Sequence, residues 1–295
     1  MTTGAHSSSV PGADPQEALA ALREEVARVI ELVRSIRKPD AHAIGNWTVA
    51  ELAMHLTQGW IIVPGMARRD LSPVFQVLPE LAGRHGESVI GDVWELAGVT
   101  AAGVEADPER DPQVLADRIE ARAAAYLEEA AGHTAEGRRA WLVEGTSLPM
   151  ATFTCHLLNE AIMHGGDIAR AEGRPWPVKP AHAALVFDGF ILPVFAAVDP
   201  RSMVDPANAA GLKATFDLRM RGGRSYYFTF DDGTLTIELP SSRRVDCHIS
   251  ADPAALLMVA WARQSQWHAI ARGKLVAWGR KPWLGLRFRS LMRNP

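Results

Sequence analysis

Two domains of different class are predicted in this 295-residue chain: an all-α four-helix bundle with a long crossover over residues 15–179, and an α+β domain with an antiparallel sheet over 180–295. Three observations carry the prediction. Apolar residues recur at helical spacing in four segments before residue 172. The stretch from 60 to 110 is interrupted by Pro64, Pro73, Pro79, Pro108 and several glycines, which marks a connection. Beyond Gly211 the apolar period drops to two, the period of a strand with one buried face.

The first helix spans residues 15–36, where Leu19, Leu22, Val26, Val29, Ile30 and Val33 form one stripe between Pro15 and Pro39. The second opens at residues 46–51: Thr48 and Glu51 have capping-box spacing, Trp47 is placed as a hydrophobic staple, and the end is expected near Gln58. A short helix within 88–103 interrupts the crossover. Asp111 then caps a helix with Pro112 in its first turn, carried by Val114, Leu115, Ile119, Ala123, Tyr126 and Leu127 to about Ala131 and closed by Gly132. The fourth runs from near Met150 through Ala171 and stops at Gly173 and Pro175. Each helix has one apolar stripe that only a neighbour can cover, so a bundle is the economical solution.

Residues 181–198 are nearly all apolar and are predicted helical, with Pro193 bending or ending the helix. Residues 212–220, 225–230 and 234–239 alternate, and Gly222-Gly223 and Asp232-Gly233 supply turns, which predicts an antiparallel meander. Asp252-Pro253 caps a further helix, 274–278 reads as another strand, and a last helix is expected from Pro282. The basic residues Arg280, Lys281, Arg287, Arg289 and Arg293 are expected along a solvated face of that helix.

With 31 Lys+Arg against 34 Asp+Glu, the formal net charge of -3 argues against a nucleic-acid binder. Cys155 and Cys247 are too few for a disulfide framework or a thiolate zinc site and are read as packing residues, which suits a reducing compartment. The first fourteen residues lack a signal-like basic start and apolar run, and no later run reaches about 18 consecutive apolar residues. A cytoplasmic monomer with no membrane partner and a frayed segment 1–14 is therefore expected.

The chemistry-bearing string lies on the fourth helix: His156, Glu160, His164 and Asp167. Residues four apart rise along one helix face, so Glu160 and His164 can converge on one point. Imidazole nitrogen and carboxylate oxygen suit zinc and related divalent ions, and a helix bundle builds such sites from facing helices. A third ligand must come from elsewhere. His55, flanked by Leu52 and Leu56 in an amphipathic helix, is the choice, because an unpartnered buried imidazole is unfavourable and coordination offsets that. The plainer alternative is a helix-surface Glu160–His164 pair and a hydrogen-bonded core His55. The spacing is not the H-E-x-x-H of zinc peptidases, which disfavours a peptidase.

The strings WTVAELAMHL and, about a hundred residues later, NEAIMHGGDIARAEGRPW resemble the mycothiol-dependent maleylpyruvate isomerase family, and DGTLTIE, DCHISADPAALLMVAWA and ARGKLVAWGRKPW extend the resemblance over nearly the whole chain. It implies a DinB-like bundle followed by a sterol-carrier-like domain. It also implies a divalent metal, typically zinc, on His55, Glu160 and His164, with mycothiol as the small-thiol cosubstrate. His156 lies a turn before Glu160, outside that implied ligand set, and either lines the site or only packs. Asp167 is placed to orient His164, or else is an ordinary exposed acid near a helix end. The resemblance further implies an arginine from the second domain; Arg219, Arg221 and Arg224 are available, and Arg219 and Arg221 share a strand face and can clamp a carboxylate, the alternative being plain surface charges. Trp261, Trp267, Trp278 and Trp283 are read as core, with an apolar pocket floor as the alternative.

By this resemblance the metal favours the thiolate of the bound thiol, which adds to an electron-poor double bond, permits rotation and leaves, giving a cis-trans isomerisation of a maleylpyruvate-like substrate. A thiol left attached would make an S-transferase. Two rivals remain: a hydrolase using metal-bound water with His156 as base, and a non-catalytic carrier of an apolar ligand.

Overall fold

The structure is a computed structural model and describes residues 10–78, 81, 90, 93–134, 137–141, 143 and 145–293. Its chain divides into two compact units, Gly12–Val178 and Lys179–Pro295, the second joined by the N-terminal stretch that ends at Pro11. Of the expected frayed segment 1–14, residues 1–9 lie outside the described residues; Ala13 is buried, and Asp14 caps the first helix by accepting from the backbone N–H of Gln16 and Glu17.

In the helical unit, α1 (Pro15–Arg34) is followed by a small hairpin, β1 (His42–Ile44) and β2 (Trp47–Thr48), that turns at Gly45 with φ +55. Helix α2 (Val49–Arg68) starts on a complete capping box: Thr48 Oγ1 accepts from the Glu51 N–H at 3.2 Å, and Glu51 Oε2 accepts from the Thr48 N–H at 2.8 Å. It runs ten residues past the expected end at Gln58, straight through Pro64. A proline inside a helix costs about 3 kcal/mol. Trp60, Ile62, Val63, Met66 and Ala67 are all buried on this extension, and burying even the first four at about 1.5–3 kcal/mol each exceeds that cost.

The crossover holds α3 (Ser72–Val77) and α4 (Leu96–Ala106); the helix expected within 88–103 thus begins at 96, and most of 82–92 lies outside the described residues. Next come α5 (Pro112–Ala130), capped by Asp111, the hairpin β3 (Arg138–Ala140) and β4 (Ser147–Pro149), and α6 (Met150–Ala171). Helix α1 packs on α5 and α6, and α2 packs on the same two, so α2 and α6 lie side by side.

The second unit begins with α7 (Pro180–Val186), a π-helical turn at Phe187–Ile191 and α8 (Leu192–Ala197). Pro193 does not end the helical run. The turn widens before it, with the Leu192 N–H reaching Phe187 O, and the lost hydrogen bond is absorbed there. By length and composition alone Pro180–Ala197 could cross a membrane, but 56% of it is buried inside the protein, as in a core helix.

After α9 (Pro206–Ala209) come β5 (Lys213–Met220), β6 (Ser225–Asp231), β7 (Thr234–Glu238), β8 (Cys247–Ala251), α10 (Pro253–Ala260), α11 (Gln266–Ala271) and β9 (Leu275–Trp278). The sheet order is β7-β6-β5-β8-β9. It is mixed, which corrects the antiparallel expectation: β5 and β8 are parallel. Register explains how an eight-residue connection without a helix achieves this. Glu238 lies opposite Tyr227, which lies opposite Asp217, while Cys247 lies opposite the neighbouring Phe216. The chain leaves β7 and enters β8 at nearly the same level and needs only to cross β6 and β5, about 14 Å at ordinary strand spacing. The expected last helix is instead two 3-10 turns, Pro282–Leu286 and Phe288–Leu291, which bury Leu284, Phe288 and Leu291.

Candidate metal centre

Helix α2 supplies His55, and α6 supplies Glu160 and His164 one turn apart. Nε2 of His55 lies 3.2 Å from Oε2 of Glu160, and Nε2 of His164 lies 3.3 Å from the same oxygen. One ligand-type atom from each residue falls within 4.8 Å of the other two. The imidazole rings meet edge to face with centroids 5.0 Å apart, and all three side chains are mostly buried. Trp47, expected as a helix staple, lies against the His55 ring at 5.0 Å.

The protonation pattern follows from one acid among three imidazoles. Burial works against the Glu160 carboxylate, but His164, His55 and His156 outweigh it and hold the group well below the usual carboxylate range. Burial also pushes the His164 imidazole down, yet Glu160 and Asp167 beside it raise it to about 9. His55 and His156 both go down through burial, which Glu160 only partly offsets. These directions favour an ionised Glu160 and a protonated His164 beside unprotonated His55 and His156.

Among the described residues, Nδ1 of His55 is buried with no hydrogen-bond partner. The ring thus presents one unengaged nitrogen and one, Nε2, that meets Glu160 Oε2 at 3.2 Å. Two nitrogens and one carboxylate oxygen, mostly buried and converging from two helices, fit a divalent ion of the zinc type.

Asp167 is fully buried, which excludes an exposed acid near a helix end. Its Oδ2 lies 3.4 Å from His164 Nδ1, a charge contact rather than an aligned hydrogen bond, and its Oδ1 is 3.1 Å from an Arg170 guanidinium nitrogen. Arg170 in turn donates to Ala43 O at 2.8 Å. Sequence reasoning missed Arg170, although its i+3 spacing from Asp167 was a usable signal. His156 stands beside the three, with Nε2 3.7 Å from Glu160 Oε1. The glycines after His164 also have a reason: a Cβ on Gly165 would come within 2.5 Å of the Trp176 indole. That indole donates to Ile162 O at 3.1 Å, with the Arg28 guanidinium 4.1 Å from its centre.

The arginines singled out in the second unit are engaged there. Arg219 Nε donates to Asp217 Oδ2 at 2.6 Å, Arg221 donates to Ser250 Oγ and Gly273 O, and Arg224 donates to Pro11 O. His248, on the unforeseen strand β8, places Nδ1 2.8 Å from Asp217 Oδ2 and stacks on Trp278. Trp267, Trp278 and Trp283 are exposed, contrary to the core expectation.

A helical unit with a convergent His–Glu–His cluster, followed by a mixed-sheet unit, defines the class of this protein. The family described as Mycothiol maleylpyruvate isomerase N-terminal domain matches residues 19–169, and the chain belongs to that family. The chain is similar in fold to a solved histidine-to-alanine mutant of a mycothiol-dependent maleylpyruvate isomerase, at 11% identity and a TM-score of 0.50, over 90% of this chain and 93% of that one. The solved mycothiol-dependent maleylpyruvate isomerase gives 13% identity and a TM-score of 0.49 over the same shares. No curated protein matches the chain at a significant level.

Proposed function

We propose that this protein is a mycothiol-dependent isomerase or S-transferase in which His55, Glu160 and His164 hold one divalent ion, zinc first by its donor set. The observation that carries the reading is the approach of both Nε2 atoms to a single Glu160 oxygen. The helical unit is read as a DinB-like four-helix bundle and the second unit as sterol-carrier-like, in a cytoplasmic enzyme. When bound, the ion favours the thiolate over the thiol form of a small thiol at neutral pH.

The chain's own residues prepare that step. Glu160 stays ionised because three imidazoles surround it, and Asp167, held by Arg170, keeps the His164 ring oriented so that Nε2 faces the centre. His156, neutral through burial and next to Glu160, can take the thiol proton and return it. In the isomerase reading the sulfur forms a bond to one alkene carbon, rotation follows about the resulting single bond, and the same sulfur–carbon bond breaks to restore the thiol.

The test is a panel of activated cis-alkenes and epoxides, with and without mycothiol, on protein purified without chelator and on Glu160→Gln. Turnover that needs both the thiol and Glu160 is expected. Turnover without thiol would make the protein a hydrolase, and an inactive protein without metal would make it a carrier.

A further inference from the structure

A near-neutral whole chain conceals a strong local imbalance. Residues 253–295 contain eight basic residues and no Asp or Glu, while the first 252 residues carry 23 basic and 34 acidic ones. Three of the eight face acids that flank β8: Lys274 pairs with Asp252, and Arg280 and Lys281 pair with Asp246. Arg289 is half-buried and donates to Val259 O. Arg272 and Arg287 are exposed.

The same segment carries exposed large apolar side chains. Trp267 and Trp283 are each 59% exposed, and Leu286 and Val276 are exposed beside them in the chain order. They sit on adjoining elements: α11 packs on β9, the turn Pro282–Leu286 packs on β9, and Gln266 Nε2 donates to Leu286 O at 3.1 Å. Indoles and leucine in water beside exposed guanidinium groups, with no acid of their own segment to neutralise them, match one kind of surface. Anionic headgroups attract the cations within a Debye length, and tryptophan settles at the boundary between headgroups and acyl chains.

We propose that the surface formed by α11 and residues 282–286 docks reversibly on an anionic lipid bilayer. Exposed Leu286 and Val276 favour lipid over single-stranded nucleic acid, since bases stack on aromatic rings but gain little from aliphatic ones.

The experiment is flotation of the full chain with vesicles of phosphatidylcholine alone and with vesicles about half phosphatidylglycerol. Binding to the anionic vesicles only, weakened by high salt, is expected. The variants Trp267→Ala/Trp283→Ala and Arg272→Glu/Arg287→Glu should each weaken it by roughly tenfold or more. All four side chains are exposed, and far-UV circular dichroism checks that the variants remain folded. Equal binding to neutral vesicles, or none to either, overturns the proposal. Retention of a labelled oligonucleotide without vesicle binding assigns the surface to nucleic acid. A dimer that dissociates in the tryptophan variant, with no vesicle binding, assigns it to a second copy.

Discussion

Each unit contains a histidine whose Nδ1 faces an aspartate, and the two pairs have different consequences. In the helical unit Asp167 and His164 are 3.4 Å apart, and the other face of the imidazole meets Glu160, which also meets His55. In the second unit Asp217 and His248 are closer, 2.8 Å, but Asp217 also accepts from Arg219, and the His248 ring lies on the partly exposed Trp278. The shorter contact is not the better candidate site. Both aspartates also meet an arginine, so what separates the pairs is that Glu160 and His55 converge in front of His164, and a carboxylate behind a histidine prepares a metal ligand only where such further donor atoms converge.

The largest effect expected from this comparison is on metal content. Glu160→Gln should lower divalent-ion affinity by more than about 100-fold and His55→Ala should do likewise, whereas His156→Ala and His248→Ala should keep about one ion per chain. Elemental analysis after gel filtration reads this directly, and an ion lost only in the His248 variant would transfer the site to the sheet.

Asp167→Asn should weaken metal binding by about 10- to 100-fold without removing a ligand. Asp217→Asn should leave it unchanged. A competitive chelator titration separates the two, and equal effects would dissolve the contrast.

Protonation gives a third test. With His164 raised to about 9 and His55 and His156 lowered, the metal-free cluster is expected to hold one proton at pH 7 that coordination must displace. Calorimetry in buffers of different ionisation enthalpy should find about one proton released per ion at pH 7, disappearing as the pH rises through about 9. Apparent affinity should accordingly climb about tenfold per pH unit up to that point. Zero release at pH 7 would mean that His164 is already unprotonated in the metal-free protein.

The smallest effect concerns the helix backbone. Gly165→Ala gains about 1 kcal/mol of helix propensity but forces a methyl against Trp176, at about 1–3 kcal/mol for overpacking. A net loss of up to about 2 kcal/mol in urea unfolding is expected; a gain would show that the indole yields.

Local codes were legible where a residue acts on its immediate neighbours. Thr48 with Glu51, Asp111 and Asp252 cap their helices by hydrogen bonds two or three residues away, whereas Asp14, which caps α1 in the same way, was read as part of a frayed segment. The start of α2 was therefore readable, but its end was not. Pro64 reads locally as a break, and only burial of the surrounding apolar residues on other helices overrides it. Strand β8 was missed for a related reason: it joins the sheet through the register of three earlier strands, which five residues cannot announce. The exposure of Trp267 and Trp283 was equally invisible, since composition cannot tell a core indole from a surface one.

For the centre itself, spacing on one helix was enough to align Glu160 with His164, because helical periodicity is a property of the chain alone. Bringing His55 to within 3.2 Å of Glu160, burying Asp167 and seating Arg170 on Ala43 O required α2 and the first hairpin to pack against α6. Those contacts join residues about a hundred positions apart, and only the burial of apolar faces in three dimensions selects them.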